Sequence, residues 1–448
     1  MNSRPQPGAL RAVIASTVGT TIEWYDFYIY GLVAALVFDK VFFPKFDPYA
    51  GTLLAFSTYF VGFAARPLGA LIFGHFGDRI GRKTTLVSTL LIMGLATSLV
   101  GLVPGYGRIG VWGAGAVTLL RIVQGFGVGG EWAGSVAMAT EWPGFATRRG
   151  LMASWPQLGS PLGLLIAIAV LVLIDALGGA NEAFLTWGWR IPFLFSVVLI
   201  GIGLWIRLGV EETPVFNSLA DDRKIVRRPV IAVLIHQWRE IALTCLIRTG
   251  QQAAFVLFTT FLLSYATSRL GMARGPLLID LLVAACVSLV TTPLFSALSD
   301  RFGRKRVYLI GTLAMAAWAF PYFALIDSKA PVIVLVAVVA SLAIHDMQYG
   351  PQAAFIVEAF PANLRYSGAS LGYHLAAMTS GGPAPLIATY LLHTYHSSSA
   401  IAVYLVVIAL IGAVTTVLLP DRAAHDYDRA EERVVRLDLE ARPTESVA

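Results

Sequence analysis

Near the start of the chain two carboxylates, Glu23 and Asp26, interrupt an apolar and aromatic run. On a helix this three-residue spacing puts both on one face, about one turn apart, and Tyr30 continues the stripe. Carboxylates that close repel each other, which suits them to taking up and giving back a proton. The alternative is structural: either acid could pair with a basic residue of a neighbouring helix. Further on, Arg121, Gln124 and Glu131 follow i, i+3, i+10. At 100° per residue Gln124 and Glu131 differ by about 20° around a helix, while Arg121 stands about 15 Å from Glu131 along its axis. Those two charges cannot pair directly, so each needs a partner from elsewhere. Glu131 could meet Glu23 or Asp26, and Arg121 could offer its cation to a carboxylate; the plainer reading is a structural buried ion pair.

A second group follows later: Arg248 with Gln251 and Gln252, then His345 beside Asp346. A guanidinium fork matches a carboxylate and side-chain amides match hydroxyls, so this set reads as an anion-binding patch. The competing reading bridges Arg248 to Asp346. His345 is either a group that titrates near physiological pH or a hydrogen-bonded packing residue, and His374 has the weaker claim. Tyr30, Gln124 and Gln157 complete the residues expected to contact a small molecule.

What must position these groups is a membrane. Of 448 residues 56% are hydrophobic and only 13% charged, and the mean hydropathy is +0.70, outside the range of a water-soluble globule with roughly 25% charged residues. An ionisable side chain inside a span costs roughly 2.5–3.5 kcal/mol on insertion scales, so it is retained where it faces a cavity or another such group. The net charge of +6 reads as basic loops beside spans, not as a nucleic-acid surface. Cys245 and Cys286 lie in expected spans without metal-ligand spacing. No nucleotide loop, HExxH or paired His/Cys set occurs in the sequence, which argues against an enzyme, a metal or cofactor site and an ATP-driven pump. The polar first ten residues and the acids of the first run argue against a removable signal peptide.

Twelve apolar runs are long enough to cross about 30 Å of hydrocarbon: 11–38, 49–73, 84–103, 112–140, 150–177, 189–209, 240–268, 276–298, 307–326, 331–357, 367–391 and 400–419. All are expected to be helices, because isolated strands leave backbone groups unpaired in lipid. With the N-terminus in the cytoplasm, most of the 33 Lys and Arg fall on that side, so both termini are expected inside. The charged stretch 210–239 divides the spans six and six. GHFGDRIGRK at 74–83 recurs as SALSDRFGRK at 296–305, and Glu141 precedes Arg148 as Glu358 precedes Arg365, by seven residues. Two parallel six-helix repeats joined by a linker are the construction of the major facilitator fold, with its site near mid-membrane between the halves. The expected divisions are a bundle over 1–209, a linker over 210–239, a second bundle over 240–419 and a tail over 420–448.

GTTIEWYDFYIYG (19–31), ARPLGALIFGHFGDRIGRK (65–83), RIVQGFGVGGEWAGS (121–135), WGWRIPFLFS (187–196) and EETPVF (211–216), in that order, resemble the metabolite:proton symporter family. The likeness runs to RYSGASLGY (365–373), with Ala133 and Ser296 standing where Gly is usual. It implies a bacterial inner-membrane, proton-coupled importer of a small organic acid, shikimate-like or a dicarboxylate, acting as a monomer. It also implies proton coupling through Glu23, Asp26, Arg121 and Glu131, and a conformational latch in Asp78, Arg79 and Arg82 with Asp300, Arg301 and Arg304. A proline/betaine-type importer is the nearest alternative, and the short tail lacks the heptads of that type's coiled coil. A non-transporting membrane sensor is the alternative of another class. The glycine steps Gly125/Gly129, Gly130/Gly134, Gly159/Gly163 and Gly368/Gly372 read as helix-packing faces.

Overall fold

The computed structural model describes residues 7–140, 149–176, 182–212, 229–361 and 363–420. Among them there is no strand, and every expected span is helical. The helices are α1 (Pro7–Val33, prolonged by a π-helical turn, Ala34–Phe38), α2 (Pro48–Ile80), α3 (Arg82–Val100) and α4 (Val111–Val128, resumed as Glu131–Thr140). Then come α5 (Arg149–Gln157, resumed as Gly159–Ala176), α6 (Ile191–Leu208), α7 (Trp238–Val256, prolonged by the π-turn Leu257–Phe261) and α8 (Arg274–Phe302). The last four are α9 (Arg304–Asp327), α10 (Pro331–Val357), α11 (Arg365–Ala376, the π-turn Ala377–Gly381, then Ala384–Tyr395) and α12 (Ser399–Leu418).

Ten of these are long and apolar enough to cross a membrane by composition alone. The other two expected spans, α1 and α11, are full-length helices whose polar residues lower their hydropathy. Both carry groups of the candidate site. Residues 141–148, with the Glu141/Arg148 half of the repeat, lie outside the described residues, as do 213–228 of the expected linker and 421–448 of the tail. Within the described part of 210–239, Pro229–His236 is a short helix.

The packing repeats with the sequence. In the first six helices α1 lies against α5, α2 against α4, and α3 against both α4 and α6; in the last six α8 and α9 lie against α10, α7 against α11, and α9 and α7 against α12. The two sets meet where α2 crosses α11 and where α5 crosses α8 and α10. At the paired ends Lys83 at the start of α3 donates to Leu208 O (3.0 Å), and Lys305 at the start of α9 donates to Val417 O (2.6 Å) and Leu419 O (3.1 Å). A lysine on the last carbonyls of a helix satisfies acceptors that have no partner within it.

The tight turns between α2 and α3 and between α8 and α9 each rest on one glycine. Gly81 has φ 117° and Gly303 φ 93°, values that any side chain would strain. The glycine steps are packing faces as expected: a Cβ on Gly163 would sit 2.6 Å from Tyr25 N, and one on Gly134 2.7 Å from the Tyr366 hydroxyl. Small residues here let helices approach to backbone contact.

Candidate functional site

Glu23 and Asp26 share a helix but not an environment. Both are buried. Asp26 faces the other helices of its own bundle, where its oxygens accept from Ser196 Oγ on α6 (2.6 Å) and Thr97 Oγ1 on α3 (2.9 Å). Gln124 Nε2 donates to the same Thr97 hydroxyl (2.7 Å), and Arg121 donates to Gln124 Oε1. A continuous polar chain therefore links Asp26 to Arg121. The Arg121 guanidinium lies 4.1 Å from the Tyr30 ring centroid, a cation–π contact, and the Tyr30 hydroxyl donates to Thr58 Oγ1 (2.9 Å).

Glu23 instead has charged neighbours from both bundles. Its Oε2 has no hydrogen-bond partner among the described residues, and its charged neighbours are Glu131, Arg66, Arg207 and Arg248. Arg66, on α2, packs over the Phe63 ring at 4.4 Å and leaves Nε unpaired. Arg248, on α7, donates to Tyr373 O (2.8 Å) and to Gln252, and lies over the Tyr373 ring at 3.3 Å with Nε unpaired. The Tyr373 hydroxyl, both ring nitrogens of His374, Gln251 Oε1 and Gln252 Nε2 are also buried without partners. Buried polar groups in folded proteins are ordinarily satisfied, so the orphans grouped about Arg66 and Arg248 are the candidate ligand position.

The alternatives open in the sequence resolve as follows. Arg248 does not bridge to Asp346. Asp346 accepts from Thr291 and from His345 Nδ1 (3.1 Å), while the other His345 nitrogen meets Gln251. His345 is thus hydrogen-bonded on both sides and lies beside the Phe255 and Tyr349 rings. Gln157 is spent on structure: it accepts from Trp132 Nε1 and donates to Tyr349 O, both at 2.8 Å. Glu131 meets neither Glu23 nor Asp26 in a hydrogen bond. It pairs with Arg207 and accepts from Ser135 (3.0 Å) and Thr89 (3.1 Å), which makes it the buried ion pair of the plainer reading.

Sequence reasoning did not single out Arg66, Tyr373 and Arg207 as site or partner residues and ranked His374 below His345. Arg66 carried a signal, being a cation inside a span. Arg207 did not, because at the end of α6 it reads as a flanking charge, and only the fold brings it to Glu131.

The repeated loops lock the bundles together at one end. Asp78 Oδ2 accepts from Ser367 N (3.0 Å) and Ser367 Oγ (2.8 Å) at the start of α11. Its repeat, Asp300, accepts from Gly150 N and Leu151 N, both at 2.9 Å, at the start of α5. Each acid caps a helix of the opposite bundle, where a negative charge is favoured. Arg82 and Arg304 hold these acids from one turn away, at 3.6 Å and 2.6 Å, and Arg304 also pairs with Glu358 at 3.2 Å. Arg79 and Arg301 are exposed. Nearer the centre the Trp132 and Tyr373 rings stack across the halves at 3.7 Å. At the opposite end Tyr49 stacks on His393 at 3.9 Å. Among the described residues no three His, Cys, Asp or Glu are grouped to hold a metal.

The Major Facilitator Superfamily profile matches residues 12–383 and 278–443. The shikimate transporter of Escherichia coli (strain K12) is 39% identical over 434 residues, covering 94% of this chain and 98% of that protein. The inner membrane metabolite transport protein YhjE of the same organism is 38% identical over 404 residues, covering 89% and 91%. The proline/betaine transporter of Salmonella typhimurium is 34% identical, covering 93% and 84%. Among solved structures the proton:xylose symporter XylE bound to 6-bromo-6-deoxy-D-glucose superposes with a TM-score of 0.71 at 19% identity, over 92% of this chain and 95% of that one, which shows the shared fold. The chain belongs to the Major Facilitator Superfamily, among its metabolite:proton symporter-like members, and is a multi-pass membrane transporter, not an enzyme.

Proposed function

We propose that the chain is a monomeric importer of the bacterial inner membrane, with both termini in the cytoplasm, that carries a small organic acid together with a proton. Its two bundles, 1–209 and 240–419, rock about the central site, the loops holding Asp78 and Asp300 forming the cytoplasmic latch. The observation that carries this reading is the buried orphan cluster of Glu23, Arg66 and Arg248. Two guanidinium groups from opposite bundles offer donors to a carboxylate, and the neighbouring carboxylate supplies a proton carrier. When the substrate's carboxylate takes the arginines, Glu23 loses its cations and takes up a proton, so binding and protonation are linked. Co-entry of that proton cancels the charge that an inside-negative potential opposes at about 2.3 kcal/mol per 100 mV. The 39% identity to a shikimate transporter supports a hydroxylated cyclic acid as cargo, with dicarboxylates next.

A second reading has one observation in its favour: Glu23 beside two arginines is also a paired anion and cation, as a zwitterion needs, and a proline/betaine transporter is 34% identical. Uptake into proteoliposomes with an imposed inward proton gradient separates the two. The acid reading expects accumulation of shikimate or a dicarboxylate that a protonophore abolishes. Accumulation of proline or betaine in preference to any acid supports the second, and gradient-independent or absent uptake of every candidate supports neither.

A further inference from the structure

We infer that His374 is a specificity-determining residue that hydrogen-bonds a hydroxyl group of the transported acid, an inference that rests on the acid reading above. His374 is fully buried, and both its ring nitrogens lack partners among the described residues. Its charged neighbours are Arg66 and Arg248, the cations at which the substrate's carboxylate is placed. His374 therefore stands at the edge of the anion position and not in a separate pocket. The turn that bears it is fixed: Tyr373 is stacked on Trp132 from one side, lies under the Arg248 guanidinium on the other, and accepts from Arg248 through its carbonyl. His374 is set edge-on to Tyr373, with ring centroids 5.1 Å apart, and the π-turn Ala377–Gly381 begins three residues later. Such turns gather at functional sites in helices.

The chemistry of the imidazole selects its partner. An uncharged imidazole carries one N–H donor and one lone-pair acceptor. A carboxylate is acceptor-only and is already served by two guanidinium groups. A hydroxyl both donates and accepts, so it alone among the groups of a hydroxylated acid complements whichever of the two ring nitrogens faces it. A site built this way discriminates strongly against an analogue lacking the hydroxyl, because the imidazole is then left buried and unpaired.

The test measures binding of two acids to purified, detergent-solubilised protein: a trihydroxylated cyclohexene carboxylate and the same ring acid without hydroxyls. Wild-type protein is expected to prefer the hydroxylated acid, and His374→Leu to lose that preference by roughly ten-fold or more, with the bare ring acid bound no more weakly than by wild type. His374→Gln, which restores one donor and one acceptor, recovers most of the preference. Should His374→Leu fail to fold, His374→Ala is read the same way. An unchanged preference in a folded variant, or an equal loss for both acids, overturns the assignment of His374 and leaves the acid reading standing. If wild-type protein binds neither acid, the acid reading fails and this inference falls with it.

Discussion

Asp26 and Glu23 are the same chemistry one helical turn apart, yet the fold treats them oppositely. Asp26 is held inside the first bundle by Ser196 and Thr97, both supplied by helices that move with it. Glu23 turns to the seam, where its cations come from both bundles and one of its oxygens has no partner. A carboxylate satisfied within one rigid body keeps its partners when the bundles shift. One whose partners lie on both sides changes its environment whenever they do. On the proposed function this difference makes Glu23 the group whose protonation follows substrate and conformation, and Asp26 the anchor of a polar chain leading to Arg121.

The largest expected effect breaks the comparison outright. Glu23→Gln should lower gradient-driven accumulation by at least about 100-fold, the lower range for removing a group that moves a proton, while substrate exchange without a gradient persists. Asp26→Asn should instead lower thermal stability with coupling retained in the protein that folds. Tracer uptake and exchange in matched proteoliposomes check both, and loss of exchange in Glu23→Gln would place Glu23 in binding alone. Next, the buried Glu131–Arg207 pair is held within the first bundle, with Ser135 and Thr89 as further donors to Glu131, and is structural on this account. Arg207→Ala leaves Glu131 without its ion partner and should cost about 3–5 kcal/mol of stability, seen as a lower melting temperature at unaltered acid affinity in whatever protein folds.

Arg248→Lys keeps the charge and loses the planar fork, and should weaken acid binding by about 1–3 kcal/mol in a protein of near-normal melting temperature. Unchanged affinity would remove Arg248 from the site. The smallest effect belongs to the latch. Asp300→Asn weakens the cap on α5 by about 0.5–2 kcal/mol, in only one of several contacts at that end, so turnover should change while equilibrium binding holds. A loss confined to binding would show that the loop does not act on the conformational equilibrium.

Sequence alone makes the fold legible to within a few residues per span, because hydropathy, the DRIGRK/DRFGRK repeat and the charged stretch between the halves are local signals. The cap made by Asp300 on α5 is half legible: the acid and Gly303 are visible in the loop, but its partners at Gly150 and Leu151 are brought there only by the meeting of α5 and α8. The site is legible as a set of residue types and not as an arrangement. Helical periodicity places Glu23 and Asp26 on one stripe, but a one-turn step is enough to send one carboxylate into the bundle and the other to the seam. Gln157 looked like a ligand contact and is a cross-bundle clamp, while His374 looked like packing and is left without partners. Whether a buried polar group is satisfied depends on what other helices bring to it, which no spacing along a single helix records.

The central claim is that substrate and proton meet at Glu23, and it is tested most directly by proton uptake on binding. Purified protein in weakly buffered detergent solution, mixed with the hydroxylated ring acid, should take up protons as the acid binds, and Asp26→Asn should do the same. Glu23→Gln should bind the acid and take up none. Proton uptake that survives in Glu23→Gln and vanishes in Asp26→Asn would contradict the account and move the coupling site to the Asp26–Arg121 chain.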